Sequence, residues 1–231
     1  MKTEELMDIA LRAGEILLVS GAEIYRVEDT IIRIFKSYGT ECECFVLLSG
    51  IFISARGEDG KIISRIKRIK NHSIDLHRIE LVNSFSRSLL NNRIEYSHAS
   101  QVLDNIENGP RFNFITKLAA AGITAFAYAL LFKGSIIDGT VALFISMLVY
   151  IIKEKISRMG FFQFFEYFVS GAVVGTAVLA AIAVIPGLNI YRTIAGAIMI
   201  LVPGVAITNG IKDALYGDTV SSLYRLAETV F

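Results

Sequence analysis

Apolar residues recur at helical spacing from the start of the chain. Leu6, Ile9, Ala10, Ala13, Ile16 and Leu17 fall on one face of residues 3–19, the spacing of an amphipathic helix. Thr3 is expected to cap it, Glu4 and Glu5 suit the positive end of its dipole, and Ser20-Gly21 stops it. A second helix is predicted over 23–38, with Ile24, Val27, Ile31, Ile34 and Phe35 on one side and Gly39 as its terminator. The period then shortens. Residues 41–48, 51–55 and 61–69 read as strands, and Glu58-Asp59-Gly60 reads as a hairpin turn, because Asp-Gly supplies positive φ. In the third strand Ile62, Ser64, Ile66 and Arg68 share one face, and Lys61, Ile63, Arg65 and Lys67 the other. Helical spacing returns over 75–91 and 97–107. The order α-α-β-β-β-α-α is an α+β pattern.

From Phe114 the pattern becomes continuously apolar. A bilayer span needs about 20 mostly apolar residues. Stretches at about 114–132, 136–152, 161–185 and 191–208 meet that need. Lys117 is near enough to a span end to snorkel, Asp138 sits at the outer end of the second span, and Glu166 lies near the start of the third. Four such segments with short connections argue against core helices of a soluble protein. The expected fold is an α-helical membrane protein with four transmembrane helices. A cytoplasmic α+β domain occupies 1–110, and a transmembrane bundle occupies 111–231, ending in a cytoplasmic segment.

Charge sharpens that boundary. Of 45 Lys, Arg, Asp and Glu residues, 30 precede residue 111, as do His72, His77 and His98, and Asn108-Gly109-Pro110 marks the break. Basic and acidic residues nearly balance on both sides, which excludes the dense basic face of a nucleic-acid binder. The loop after the second span carries Lys153, Lys155 and Arg158, against Lys133 alone after the first and Arg192 alone after the third. The positive-inside rule therefore turns the second loop and the N-terminal domain to the cytoplasm of the inner membrane. Cys42 and Cys44, two apart on one strand face, read as free thiols. The acidic, amphipathic N-terminus is unlike a secretory signal.

Candidate chemistry is sparse. Glu166 is an ionisable group within an apolar helix, and such groups face a bundle interior or a pathway, or else the membrane interface. Pro203-Gly204 interrupts the fourth span and is followed by Thr208, Asn209 and Asp213. Freed carbonyls at membrane depth need a cavity or a covering partner, and discontinuous helices of this kind build transporter sites. The alternative is a proline kink with a polar helix end. Glu23, Arg26 and Glu28 open the second helix, and His72, Asp75 and His77 flank a later one; exposed histidines are the plainer reading of that group. No metal site, catalytic constellation or cofactor is predicted. The chain has no Gly-Lys-Ser/Thr phosphate loop, so ATP is not the expected energy source.

Four segments together resemble the threonine/serine exporter family: SGAEIYRVEDTI (20–31), GIFIS (50–54), IDLHRIELVNSFSR (74–87) and LVPGVAITNGIKDALYGDTVSSLYRLAE (201–228). The resemblance covers nearly the whole chain in order. It implies a cytoplasmic domain joined to a bundle that exports small amino acids. The short chain resembles the large subunit of the split type, which works with a second small membrane subunit; one split branch is associated with succinate-like dicarboxylates. Such members continue into a fifth span, whereas this sequence stops at RLAETVF, where that span is expected to begin. The expected protein is a subunit of a secondary exporter; with no phosphate loop, a proton or ion gradient is the default drive, and Glu166 and Asp213 are the candidate coupling groups. A second membrane subunit or a homo-oligomer is the expected assembly. The competing expectation is a membrane-anchored enzyme or sensor whose cytoplasmic domain does the work.

Overall fold

A computed structural model describes residues 1–110, 112–159 and 163–229. The helices are α1 (Thr3–Val19), α2 (Ile24–Ser37), α3 (Leu76–Asn91), α4 (Tyr96–Glu107), α5 (Phe114–Leu131), α6 (Ile136–Arg158), α7 (Gln163–Val184), α8 (Ile190–Ile198), α9 (Gly204–Leu215) and α10 (Thr219–Glu228), and the strands are β1 (Cys42–Leu47), β2 (Gly50–Arg56) and β3 (Ile62–Arg68). The chain forms two compact units. The first joins Met1–Pro110 to Gly204–Thr229, and the second is the intervening stretch up to Pro203. Sequence patterning assigns 111–231 to a bundle whose spans end near 208, followed by a cytoplasmic segment; the structure groups α9 and α10 with the N-terminal elements.

In the first unit the strands form an antiparallel sheet in the order β1-β2-β3. One face of the sheet meets the apolar stripes of α1 and α2, and Leu6, Ile9, Leu17, Ile31, Phe35, Val46, Ile51 and Leu89 are among the residues sealed in the core. Thr3 is the first helical residue of α1 rather than its cap. The Glu5 carboxylate accepts the Lys2 N–H at 2.9 Å and does the capping. Asp75 caps α3 by accepting the Arg78 N–H at 3.1 Å. Gly60, at φ +79°, makes the β2–β3 turn.

The second unit holds three helices long and apolar enough to cross a membrane, α5, α6 and α7. Its packing is inside out relative to a soluble core. Ala125, Ala129, Ala142, Ile145, Val149, Val174, Val178 and Ala197 meet inside, while Ile115, Ile123, Leu131, Phe144, Phe168 and Leu179 point outward. Small residues at helix contacts and large ones facing out suit a lipid environment. Gly196 of α8 lies so close to α5 that a Cβ there would sit 2.7 Å from the Ala125 carbonyl oxygen. α6 extends six residues beyond the expected 152, and Glu154 and Arg158 pair one turn apart on the extension at 2.9 Å. The expected start of the third span at 161 lies outside the described residues.

The fourth apolar stretch is broken. After α8 a 3-10 turn spans Met199–Leu201, Val202 is extended, and α9 begins at Gly204. α8 through α9 meets the length and hydropathy of a span only if the two pieces count as one broken span.

A candidate site where the second and ninth helices meet

Within the first unit, α1 ends in a tight Schellman turn. The Ala22 N–H donates to the Leu17 carbonyl and the Gly21 N–H to that of Leu18. Gly21 has φ +85°, and a Cβ there would lie 2.8 Å from the Ser73 carbonyl oxygen, so both the turn and its neighbour call for glycine. The turn leaves its own carbonyls pointing away from α1. Those of Val19 and Ser20 accept the Ser73 and Asp75 N–H groups. Those of Gly21 and Ala22 accept side chains from α9 and α10: Asn209 Nδ2 donates to Gly21 O and Arg225 Nη2 to Ala22 O, both at 2.9 Å.

The start of α2 lacks a side-chain cap of its own. Asp213, wholly buried on α9, fills that role from 189 residues away, accepting the Ile24 N–H on Oδ1 at 2.9 Å. A carboxylate there meets the free N–H groups and the positive end of the helix dipole. Its other oxygen, Oδ2, accepts from Arg225 Nε at 3.1 Å, and Arg225 is itself buried. Lys212 Nζ donates to Glu23 Oε1 at 2.9 Å, and Arg26 Nε lies 2.8 Å from Glu23 Oε2. Burial alone would raise the Glu23 pKa. The Lys212 hydrogen bond and the Arg26 and Lys212 charges outweigh it and hold the carboxyl below its ordinary value. Tyr25 and Tyr216 stack with ring centroids 4.0 Å apart.

Glu23, Arg26, Asn209 and Asp213 therefore belong to one constellation, although patterning places them in two separate parts of the chain. Lys212, Tyr25, Tyr216 and Arg225 complete it. The signal for Lys212 and Arg225 was their rarity as cations in an otherwise apolar C-terminal half. Asn209 is buried against a backbone carbonyl of the α1–α2 turn instead of lining a cavity within the bundle, and Thr208 is exposed. Pro203 and Gly204 mark the break but make no side-chain hydrogen bond. Glu28, one turn further along α2, binds the Val46 N–H at 2.9 Å. Burial raises its pKa, the Val46 hydrogen bond opposes the rise, and the Asp218 charge adds to it. Asp75 serves as a helix cap. His77 is exposed, its ring 3.7 Å from Glu80, and it lies outside the constellation.

Glu166 belongs to the second unit. It is buried on α7, with Lys153 Nζ of α6 3.4 Å away. A second buried carboxylate in that unit is Asp138, which patterning places at a span end. It accepts the N–H and hydroxyl of Ser135 at 2.7 and 2.9 Å, the Asn189 N–H at 2.7 Å and the Thr193 hydroxyl at 3.4 Å. One carboxylate thus ties together the starts of α6 and α8. Ser135 three residues before Asp138 is a capping-box spacing that could have signalled it.

Three apolar helices long enough to span a bilayer, packed largely through small residues and followed by an apolar stretch broken at proline, mark a membrane-embedded protein. Residues 8–231 match a family described as "Putative threonine/serine exporter", and the chain belongs to that family. It is 24% identical over 235 residues to the "Probable threonine/serine exporter" of Mycobacterium tuberculosis, covering all of this chain and 44% of that one. It is 22% identical over 233 residues to the "Threonine/serine exporter" of Corynebacterium glutamicum, covering 97% of this chain and 48% of that one. The chain thus spans less than half the length of these curated relatives. No solved structure matches it. The family is one of exporters, not enzymes.

Proposed function

We propose that this chain is one subunit of a secondary-active exporter that carries threonine- or serine-like amino acids, or small dicarboxylates, out across the cytoplasmic membrane. The family and the names of its relatives support the amino acids; the dicarboxylates rest on the resemblance of a short chain to the split type. The N-terminal elements face the cytoplasm in this reading, which the cluster of Lys153, Lys155 and Arg158 at the end of α6 supports. In this reading a second, small membrane subunit of the same family, or a further copy of this chain, completes the pathway; the resemblance to the split type supports it.

The observation that carries the proposal is the Asp213 constellation. A buried carboxylate and a buried arginine sit on the two helices after the Pro203 break, and they hold the start of α2. In this reading α9 is the mobile element of the broken span. Release of Asp213 from the α2 N-terminus lets α9 change position as substrate passes, and Glu166 with Lys153 supplies the ion-coupled charge within the bundle. The test is efflux from cells loaded with a threonine-containing dipeptide or with succinate. They express this chain with and without a small membrane subunit of the same family, and with Asp213→Asn or Glu166→Gln. Transport of either substrate only when both subunits are present, and its loss in both variants, is the expected result. Unchanged efflux with Asp213→Asn in a complete complex would overturn the assignment.

A further inference from the structure

β3 is patterned against the usual rule. Arg65 and Lys67 point toward α1, where Arg65 lies 3.7 Å from Asp8 and Lys67 2.8 Å from Glu15. Its apolar alternates point the other way, and Ile62 and Ile66 are 71% and 69% exposed. A one-residue shift of the alternation would have buried them. The outward apolar residues continue across the sheet in register. Ile66 lies opposite Phe52, and Phe52 opposite Phe45. The two rings are 6.0 Å apart, and both phenylalanines are open to solvent. Beside this row, Ser54 and Ser64 bond to each other at 2.8 Å and flatten the middle of the face. An apolar patch that the fold had the means to bury marks an interaction surface.

We propose that this sheet face binds the same face of a second copy of the chain. The charges select the occupant. Glu43 lies on β1 at one side of the patch, with Glu41 just before it and the exposed Arg56 near both on β2, and Arg68 lies at the opposite corner on β3, so the face carries both signs. A partner of a single sign would match only one of these sides. A two-fold pairing with the strands crossed near a right angle brings each Arg68 toward the other copy's Glu43. The same pairing gathers Phe45, Phe52 and Ile66 around the axis. Three short strands offer a face on the order of 300 Å², below the roughly 800 Å² per partner of a stable soluble complex. Two copies inserted in one bilayer meet at high effective concentration, so the pairing forms in the membrane and dissociates on dilution in detergent. This goes beyond the transport proposal, since the interface forms whether or not substrate moves.

The test uses the full chain in membrane vesicles, with Cys42 and Cys44 replaced by serine and single cysteines introduced elsewhere. Phe52→Cys, near the axis, is expected to give a disulfide-linked dimer on mild oxidation, and Glu80→Cys on α3 none. Arg68→Glu in the Phe52→Cys background is expected to lower the dimer yield about tenfold through like-charge repulsion, and adding Glu43→Arg to restore it. Equal crosslinking at Phe52→Cys and Glu80→Cys, a Phe52→Cys product with a different protein, labelling of Phe52→Cys by a lipid-phase reagent instead of dimer, or failure of the charge swap to rescue would each overturn the proposal. Efflux measured on the same variants reports on the transport reading separately.

Discussion

Replacing Asp213 by alanine removes two partners at once. The Ile24 N–H loses its only acceptor at the start of α2, and Arg225 keeps a buried positive charge with no carboxylate. Breaking a buried pair by deleting one member costs about 3–5 kcal/mol. An orphaned buried N–H costs a further ~1–3 kcal/mol in isolation. The two overlap, because the same side chain serves both and the freed space admits some water, so the expected loss is about 4 kcal/mol. For a chain of this length that lowers the melting temperature by on the order of 10 °C. Asp213→Asn keeps an oxygen for the Ile24 N–H and loses only the charge, so it should fall between wild type and Asp213→Ala. The double variant Asp213→Leu/Arg225→Met leaves no uncompensated charge and should be more stable than Asp213→Ala alone, with the coupling read from a double-mutant cycle. The chain has no tryptophan, so unfolding in detergent is followed by far-ultraviolet circular dichroism. A melting temperature for Asp213→Ala within a degree of wild type, or strict additivity in the cycle, would refute the capping role.

Four further outcomes follow from particular contacts. Asn209→Leu should destabilise by ~1–3 kcal/mol, because it leaves the Gly21 carbonyl unpaired; an unchanged melting curve with lost efflux would restore Asn209 to a substrate pathway. Glu23 titrates below its ordinary value of 4.5 when folded. Its contribution is therefore full at neutral pH and lost as pH falls below 4.5, and Glu23→Gln should flatten that acid limb of the stability profile. Burial pushes the Cys42 thiol up to about 11 and raises Cys44 further. With only about one thiol in ten thousand ionised at neutral pH, maleimide labelling of the folded chain should be slow and should accelerate when the sheet unfolds. In a Cys42→Ser/Cys44→Ser background, an impermeant maleimide applied outside cells should label Leu188→Cys and not Lys155→Cys; the reverse pattern would invert the proposed orientation.

Most element positions were legible because they are local. The apolar periods of residues 3–19 and 23–38, the Asp59-Gly60 turn and the first uncharged run after Phe114 each write their own secondary structure, with ends within a residue or two of those expected, whereas the expected span 191–208 is broken after Ile198 and its second piece, α9, runs on to Leu215. The exceptions have local causes of their own. α6 runs on to Arg158 because Lys153 to Arg158 are good helix formers with an internal ion pair, and hydropathy alone sees only the point where the apolar run ends. Thr3 lost its cap to Glu5, since a carboxylate three residues on can reach back to the exposed N–H of Lys2.

The site was not legible, because its chemistry is a tertiary pairing. Patterning ranked Asp213 as the polar end of a span and Glu23 as the opening of a soluble helix. Each is reasonable alone, for a lone acid at a helix end is usually solvated. What binds them is that the α2 N-terminus carries no cap of its own, while α9 carries a buried acid with no partner in its own helix. An uncapped start predicts a distant acceptor, and a buried acid predicts a distant donor. Neither rule states which pair meets. The Schellman turn at Gly21 settles it, because a turn that bonds its N–H groups inward must offer its carbonyls outward, and Asn209 and Arg225 bring donors to the two carbonyls that backbone N–H groups do not take. The same reasoning explains why Arg225, outside every candidate list, is buried beside Asp213: taking either charge out of water calls for the other. A role for this pair in moving α9 therefore requires that both charges be released together or that something replace one of them. A substrate carboxylate beside Arg225 is the replacement with matching chemistry.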